Sequence, residues 1–150
     1  MAETMTALSE QLLNMLEQKK LVILNTIDAE TGSPTVNAIS WVDAPTPSTV
    51  RFAIDAKSRI VANLNKNPLV TMTMIGGETV HAVYGKAKQV SEALEGVPFK
   101  LACFDVEIDT IRDAMFYGSR ITVEPEYEKT YNKAAAEKLD RQVFDAMKKV

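Results

Sequence analysis

The chain predicts a small α+β barrel, mainly antiparallel β, in which about six or seven strands form one sheet and helices sit at the periphery. Three observations carry this expectation. β-rich runs punctuated by Gly, Pro and Asn recur from Leu21 to Val123, an amphipathic segment precedes them, and a longer one comes after them. At 150 residues with 46% hydrophobic residues, the chain suffices for one globular domain that buries most of its unfolded surface. The expected layout is an N-terminal helix over about 3–19, a barrel over about 20–124 and a long C-terminal helix over about 125–149.

Each element has a local reason. Met5, Leu8, Leu12, Met15 and Leu16 recur at helical spacing with Glu10, Gln11, Glu17 and Gln18 between them, so the first segment reads as a helix with one apolar face. Leu21–Ile27 and Thr35–Val42 are β-rich and flank Thr31-Gly32-Ser33-Pro34, the pattern of a hairpin. Pro45 and Pro47 mark Asp43–Ser48 as a loop outside the ladder, and Val50–Ile54 is a third strand. A short helix comes next, its apolar face made by Ile60, Val61 and Leu64, ending at Asn67-Pro68. Leu69–Ile75 and Thr79–Val90 then flank Gly76-Gly77, a second hairpin, with Gly85 marking a bulge or bend in its long arm. Phe104, Val106 and Ile108 alternate with Asp105, Glu107 and Asp109, which predicts a half-buried strand with an acidic outer face. Asp109 is then expected to cap a brief helical turn through Ile111 and Met115, and Gly118–Val123 to form a last short strand. Pro125 suits a first helical turn, and Tyr131, Ala135, Leu139, Val143 and Met147 repeat at four-residue steps beyond it.

Composition excludes several function classes. A net charge of −3 and a pI near 5.2 argue against nucleic acid, whose phosphates demand a concentrated basic surface. Any anion bound is expected to be small. The single cysteine, Cys103, gives no intramolecular disulfide and no CxxC pair, as in a reducing cytoplasm. Apolar runs are too short to span a bilayer and no leader pattern opens the chain, so a cytoplasmic protein with no membrane partner is expected.

Most chemical motifs are missing. His81 is the only histidine and lies in a strand, with no GxSxG or HExxH around it, so a ring satisfied within the sheet is the simpler reading. Asp105, Glu107 and Asp109 form a solvated acidic face rather than a cation site. Gly76-Gly77 lacks the Lys-Ser or Lys-Thr of a phosphate-binding Walker loop. Cys103 sits in apolar Leu-Ala-Cys-Phe as a buried small hydrophobe. Tyr117-Gly-Ser-Arg120 is a second polar loop. No metal site is expected, and no acid–base pair identifies catalytic residues.

One segment stands out. Asp55-Ala56-Lys57-Ser58-Arg59 joins the third strand to the short helix, with Asp55 placed to cap it. A helix start of this kind offers unpaired NH groups beside Lys57, Ser58 and Arg59, the outline of an anion site. An ordinary strand-to-helix junction with solvated charges accounts for the same residues.

The ordered set of Leu21–Asp28, Thr-Gly-Ser-Pro, Val36–Val42 with Trp41, Phe52-Ala-Ile-Asp55, Lys57-Ser-Arg59, Leu64, Asn67-Pro68 and Tyr84-Gly-Lys-Ala resembles the pyridoxamine 5′-phosphate oxidase-like, FMN-binding split-barrel family. The resemblance covers roughly residues 15–90 and is that of the small bacterial oxidase-related flavoproteins. It implies a split β-barrel homodimer with FMN at the subunit interface. It implies that the flavin ring lies against Asn37, Ala38, Ile39, Ser40 and Trp41, and that Lys57, Ser58 and Arg59 hold its phosphate. The implied function is an oxidoreductase of a small unidentified substrate. A non-catalytic flavin-binding or flavin-sensing module, and a split barrel holding haem or a deazaflavin, are the alternatives. Two departures shape the expectation. Ile60 stands where the family's loop carries a lysine, leaving Lys57 to replace that cation, and the C-terminal segment lacks the histidine of true oxidases, so vitamin B6 oxidation is not implied.

Overall fold

The computed structural model describes residues 4–150. Its elements are β1 (Thr4–Met5), α1 (Glu10–Glu17), β2 (Val22–Ile27), β3 (Pro34–Ile39), β4 (Val42–Thr46), β5 (Thr49–Asp55), α2 (Arg59–Lys66), β6 (Leu69–Gly76), β7 (Thr79–Ser91), β8 (Leu101–Asp113) and α3 (Lys133–Lys148). All strand pairs are antiparallel. The sheet runs β3-β2-β6-β7-β8-β5-β4, with β1 added on β8.

This order dictates the shape. β3 and β4 end the hydrogen-bonded path on opposite sides, yet only Ser40 and Trp41 separate them in the chain. Three extended residue steps reach at most about 11 Å, so the sheet must curl until its ends nearly meet. No ladder joins β3 to β4 among the described residues, which leaves a split barrel of the predicted α+β class.

Inside the curl lies the main core. Leu24, Val42, Phe52, Met72, Val83, Phe104, Val106 and Ile111 fill it with Leu12 of α1. The Phe52 and Phe104 rings stack there at 5.5 Å between centroids. A second cluster lies outside, where Val143 and Met147 of α3 cover Ala53, Leu101 and Cys103. Leu101–Phe104 are consequently buried on both faces, and their side chains form a continuous apolar run.

Two tight places in the sheet depend on glycine. At the β6–β7 turn Gly77 and Glu78 both have positive φ, the twist a two-residue hairpin requires. In β7 the register shifts between Tyr84 and Gly85, and a side chain on Gly85 would run into the Glu107 carbonyl. The bulge predicted at Gly85 is present.

Several expected boundaries move, each for a tertiary reason. The first helix is Glu10–Glu17 rather than 3–19: Thr4 and Met5 pair with Arg112 and Ile111, and Ser9 caps the helix by accepting from the Leu12 NH. Glu3, at the start of the expected helix, lies outside the described residues. The Thr35–Val42 strand is broken at Ser40-Trp41, where the chain crosses the split. Asp43–Ser48 is not a plain loop, because β4 carries Pro45 on the free sheet edge, where no donor is missed. No helical turn comes after Asp109, since Ile111 is buried in a strand that continues to Asp113. Gly118–Val123 forms no strand; one backbone bond, from the Ile121 NH to the Glu78 carbonyl, tethers it. Residues 125–132 are an irregular strap, held by the Tyr127 hydroxyl on the Lys19 carbonyl, and Asn132 caps α3 seven residues after Pro125.

Candidate functional site

The barrel's split is also a cleft of about 400 Å³, within the usual range for small ligands. One wall is Asn37, Ala38 and Ile39 of β3 with the Ser40-Trp41 link. Facing it are Ala53, Ile54 and Asp55 of β5, with Ser58 and Ile60 at the head of α2. The Ala53 NH donates to the Trp41 carbonyl at 3.0 Å and fixes the wall at one end. Lys129 and Tyr131 of the strap close a further side. Small Ala38, Ser40 and Ala53 beside apolar Ile39, Ile54, Ile60 and Trp41 make walls that suit a flat ring with a polar edge.

All five residues expected along the ring thus share a cleft with Ser58. Lys57 and Arg59 do not line it. Ser58, not Asp55, caps α2, accepting from the Ile60 NH at 3.2 Å, while the Val61 NH donates to the Ser58 carbonyl at 3.1 Å. Asp55 instead accepts from the Lys57 NH at 2.8 Å. The helix start therefore satisfies part of its own donor set.

Arg59 is engaged elsewhere. Its Nη2 donates to Asp28 Oδ1 at 2.5 Å. Asp28 is 8% exposed and the Arg59 side chain 70%, so the carboxylate sits in the fold while much of the guanidinium faces solvent. Asp28 Oδ2 accepts from the NH groups of Glu30 and Thr31 and from the Thr31 hydroxyl. The Thr31 NH foremost, then Arg59, hold its carboxyl down at about 2. Buried Asn63 of α2 completes the junction, donating to the Thr26 hydroxyl and accepting from the Ala29 NH. The β2–β3 turn and α2 are locked together by this network.

The other candidates resolve simply. His81 is buried with Nε2 at 3.0 Å from the Gly76 carbonyl. Cys103 is buried, and desolvation pushes its thiol up to about 11, against activation as a thiolate. Asp105 is no member of a solvated acidic row: Arg51 donates to both its oxygens at 2.6 and 3.0 Å. Two larger clefts, of about 920 and 840 Å³, run along the 115–129 region. They include neither β3 nor the head of α2, and the larger is crossed by a Lys20–Glu124 ion pair, so size alone does not make them the site.

Sequence reasoning missed Asp28, Lys129, Tyr131 and Asp140. Asp28 had a readable signal, an Asp three residues before Thr31 in a Gly-containing turn. Asp140 accepts from the Trp41 indole NH at 2.8 Å across 99 positions, a contact that no local pattern encodes.

The chain belongs to the pyridoxamine 5′-phosphate oxidase family, whose model matches residues 8–103. No curated protein matches it in sequence. Among solved structures it is similar to a candidate pyridoxamine 5′-phosphate oxidase of Lactobacillus delbrueckii, with TM-score 0.61 and 21% identity over 71% of this chain and 94% of that one. An FMN-binding protein from Syntrophomonas wolfei gives TM-score 0.57 and 15% identity over 69% and 84%. HutZ, the haem storage protein from Vibrio cholerae, gives 0.54 and 15% over 71% and 95%. At these identities the likeness is one of fold. The family match ends before the strap and α3.

Proposed function

We infer that the protein is an FMN-binding flavoprotein that holds the cofactor in the cleft at the barrel's split. The observation that carries this reading is the cleft itself, where a wall of small and apolar residues, Asn37–Trp41, meets Ser58 at the start of a helix. Such a pairing suits a ligand that is flat at one end and anionic at the other. The solved FMN-binding neighbour of the same fold supports it. Arg59 is the cation nearest in sequence to Ser58 on the helix itself, and bonding to Asp28 through Nη2 alone leaves much of its guanidinium facing solvent for a phosphate.

Bound FMN would supply the redox chemistry, and the protein its position and electrostatics. An oxidoreductase acting on a small substrate is the corresponding activity, distinct from pyridoxamine phosphate oxidation. The decisive experiment is a titration of the purified protein with FMN, followed by flavin absorbance and by the emission of Trp41, the single tryptophan. A saturable one-to-one yellow complex is expected, and no spectral change at any FMN concentration overturns the reading. Steady NAD(P)H-driven turnover separates an enzyme from a non-catalytic flavin module. Haem binding that resists excess FMN and is lost in His81→Ala would instead favour the haem-holding alternative.

A further inference from the structure

We propose that Lys129, on the strap beyond the family-matched region, is the cation that contacts the ligand in the cleft, at its Trp41 end, and that Asp140 holds it in reserve. The proposal rests on the flavin reading and goes beyond it by assigning a residue that neither the phosphate loop nor the family match contains.

Charge singles this residue out. Among the described residues lining the cleft, Lys129 is the one cation and Asp55 the one carboxylate. Lys57 and Arg59 are outside the lining, with Arg59 placed at the phosphate end at the head of α2, and Ile60 brings no charge. A flavin presents an edge of carbonyl and ring-nitrogen acceptors, which an ammonium with three donors satisfies at one point. Without Lys129 the walls near Trp41 would offer that edge only neutral groups.

The hold on Lys129 is loose: its ammonium has a distant approach to the Tyr127 ring, 6.0 Å from the centroid, and one long bond. Its Nζ lies 3.4 Å from Asp140 Oδ1, and that same oxygen already accepts the Trp41 indole NH at 2.8 Å. The shorter bond fixes Asp140 and Trp41 to each other, and the longer one leaves the ammonium able to turn on its four-carbon stem toward a ligand. Asp140 projects from α3, so the helix, the strap and the Ser40-Trp41 link converge on one polar point beside the cleft. At 27% side-chain exposure Lys129 is sheltered, and a charge contact there is screened less than one in open solvent.

The test uses the full chain and two probes, FMN and riboflavin, which share the ring and differ in the phosphate. Lys129→Gln is expected to weaken both about tenfold, with Lys129→Arg recovering part of the loss. Asp140→Asn keeps an acceptor for the Trp41 indole while releasing Lys129, and is expected to bind both probes more tightly than the parent chain. A merely structural ion pair would not give that gain. Thermal melts and the ligand-free Trp41 emission show whether each variant keeps the fold. Parent-like binding by Lys129→Gln, a loss confined to FMN, or no gain in Asp140→Asn overturns the proposal while leaving the flavin reading standing. Failure of the parent chain to bind either probe overturns both.

Discussion

Two ionisable residues show at single-residue scale how burial decides chemistry. Asp28 gathers two backbone NH groups, a hydroxyl and a guanidinium, and its carboxyl is held at about 2 against an ordinary 3.8. A depressed folded-state pKa means that the unfolded chain binds the proton first. The stabilisation is therefore complete above about pH 3.8 and is lost as pH falls toward 2. Urea unfolding of the parent and of Asp28→Asn should differ at neutral pH, and the gap should close across that acidic window. A gap independent of pH would show that the carboxylate's charge is not what matters. Cys103 is the opposite case. It has no solvent access, and desolvation raises its thiol to about 11, so a thiol reagent should leave it unmodified in the folded protein and label it fully in urea. Rapid labelling under native conditions would contradict the packing of α3 over β5 and β8.

At the scale of elements, the strand pattern was legible because period-two burial is written locally. Phe104, Val106 and Ile108 are buried and Asp105, Glu107 and Asp109 are not, as their alternation predicts, and β6 buries Val70, Met72 and Met74 between part-buried threonines. Helix ends were less legible, because they were settled by partners distant in sequence. Thr4-Met5 continues the helical spacing of Leu8 and Leu12 backwards, but pairing with β8 takes it into the sheet; Pro125 suits a helix start, but Tyr127 is anchored on Lys19 and the helix waits for Asn132. The site divides in the same way. Asn37–Trp41 and Ser58, which the resemblance implies, lie on two short contiguous stretches that line the candidate cleft, whereas Lys129 and Asp140 reach it only through the path of the strap and α3. Two substitutions test the elements. Ser58→Ala removes the α2 cap and should cost about 1 kcal/mol of stability, together with weaker FMN binding. Gly85→Ala places a methyl group against the Glu107 carbonyl and Val106, and should destabilise by roughly 1–3 kcal/mol as overpacking does. Chemical denaturation measures both, and a neutral Gly85→Ala would mean that the β7–β8 bulge yields easily.

The whole molecule is governed by its unclosed seam. An open curl leaves β3 and β4 with unpaired outer edges, and exposed strand edges invite pairing unless something covers them. Large apolar side chains also stand in solvent: Val36 on β3 at 67%, Phe116 at 69%, Val123 at 82% and Tyr117 fully exposed. Phe116, Tyr117 and Val123 belong to the stretch between β8 and α3, the part of the chain with least regular structure. A lone chain gains nothing from presenting them, while a symmetric pair would bury each patch against its copy. The prediction is a homodimer, with light scattering giving near twice the 16.6 kDa of one chain. Tyr117→Ser should shift the equilibrium toward monomer, because it removes a large aromatic contact and leaves the barrel core untouched. If the dimer persists unchanged in that variant, the contact runs through the β3 edge, and Val36→Lys becomes the substitution that breaks it. A parent chain that scatters as a monomer at micromolar concentration would remove the dimer and any FMN site shared across it, leaving the cleft at Ser40-Trp41 to hold its ligand alone.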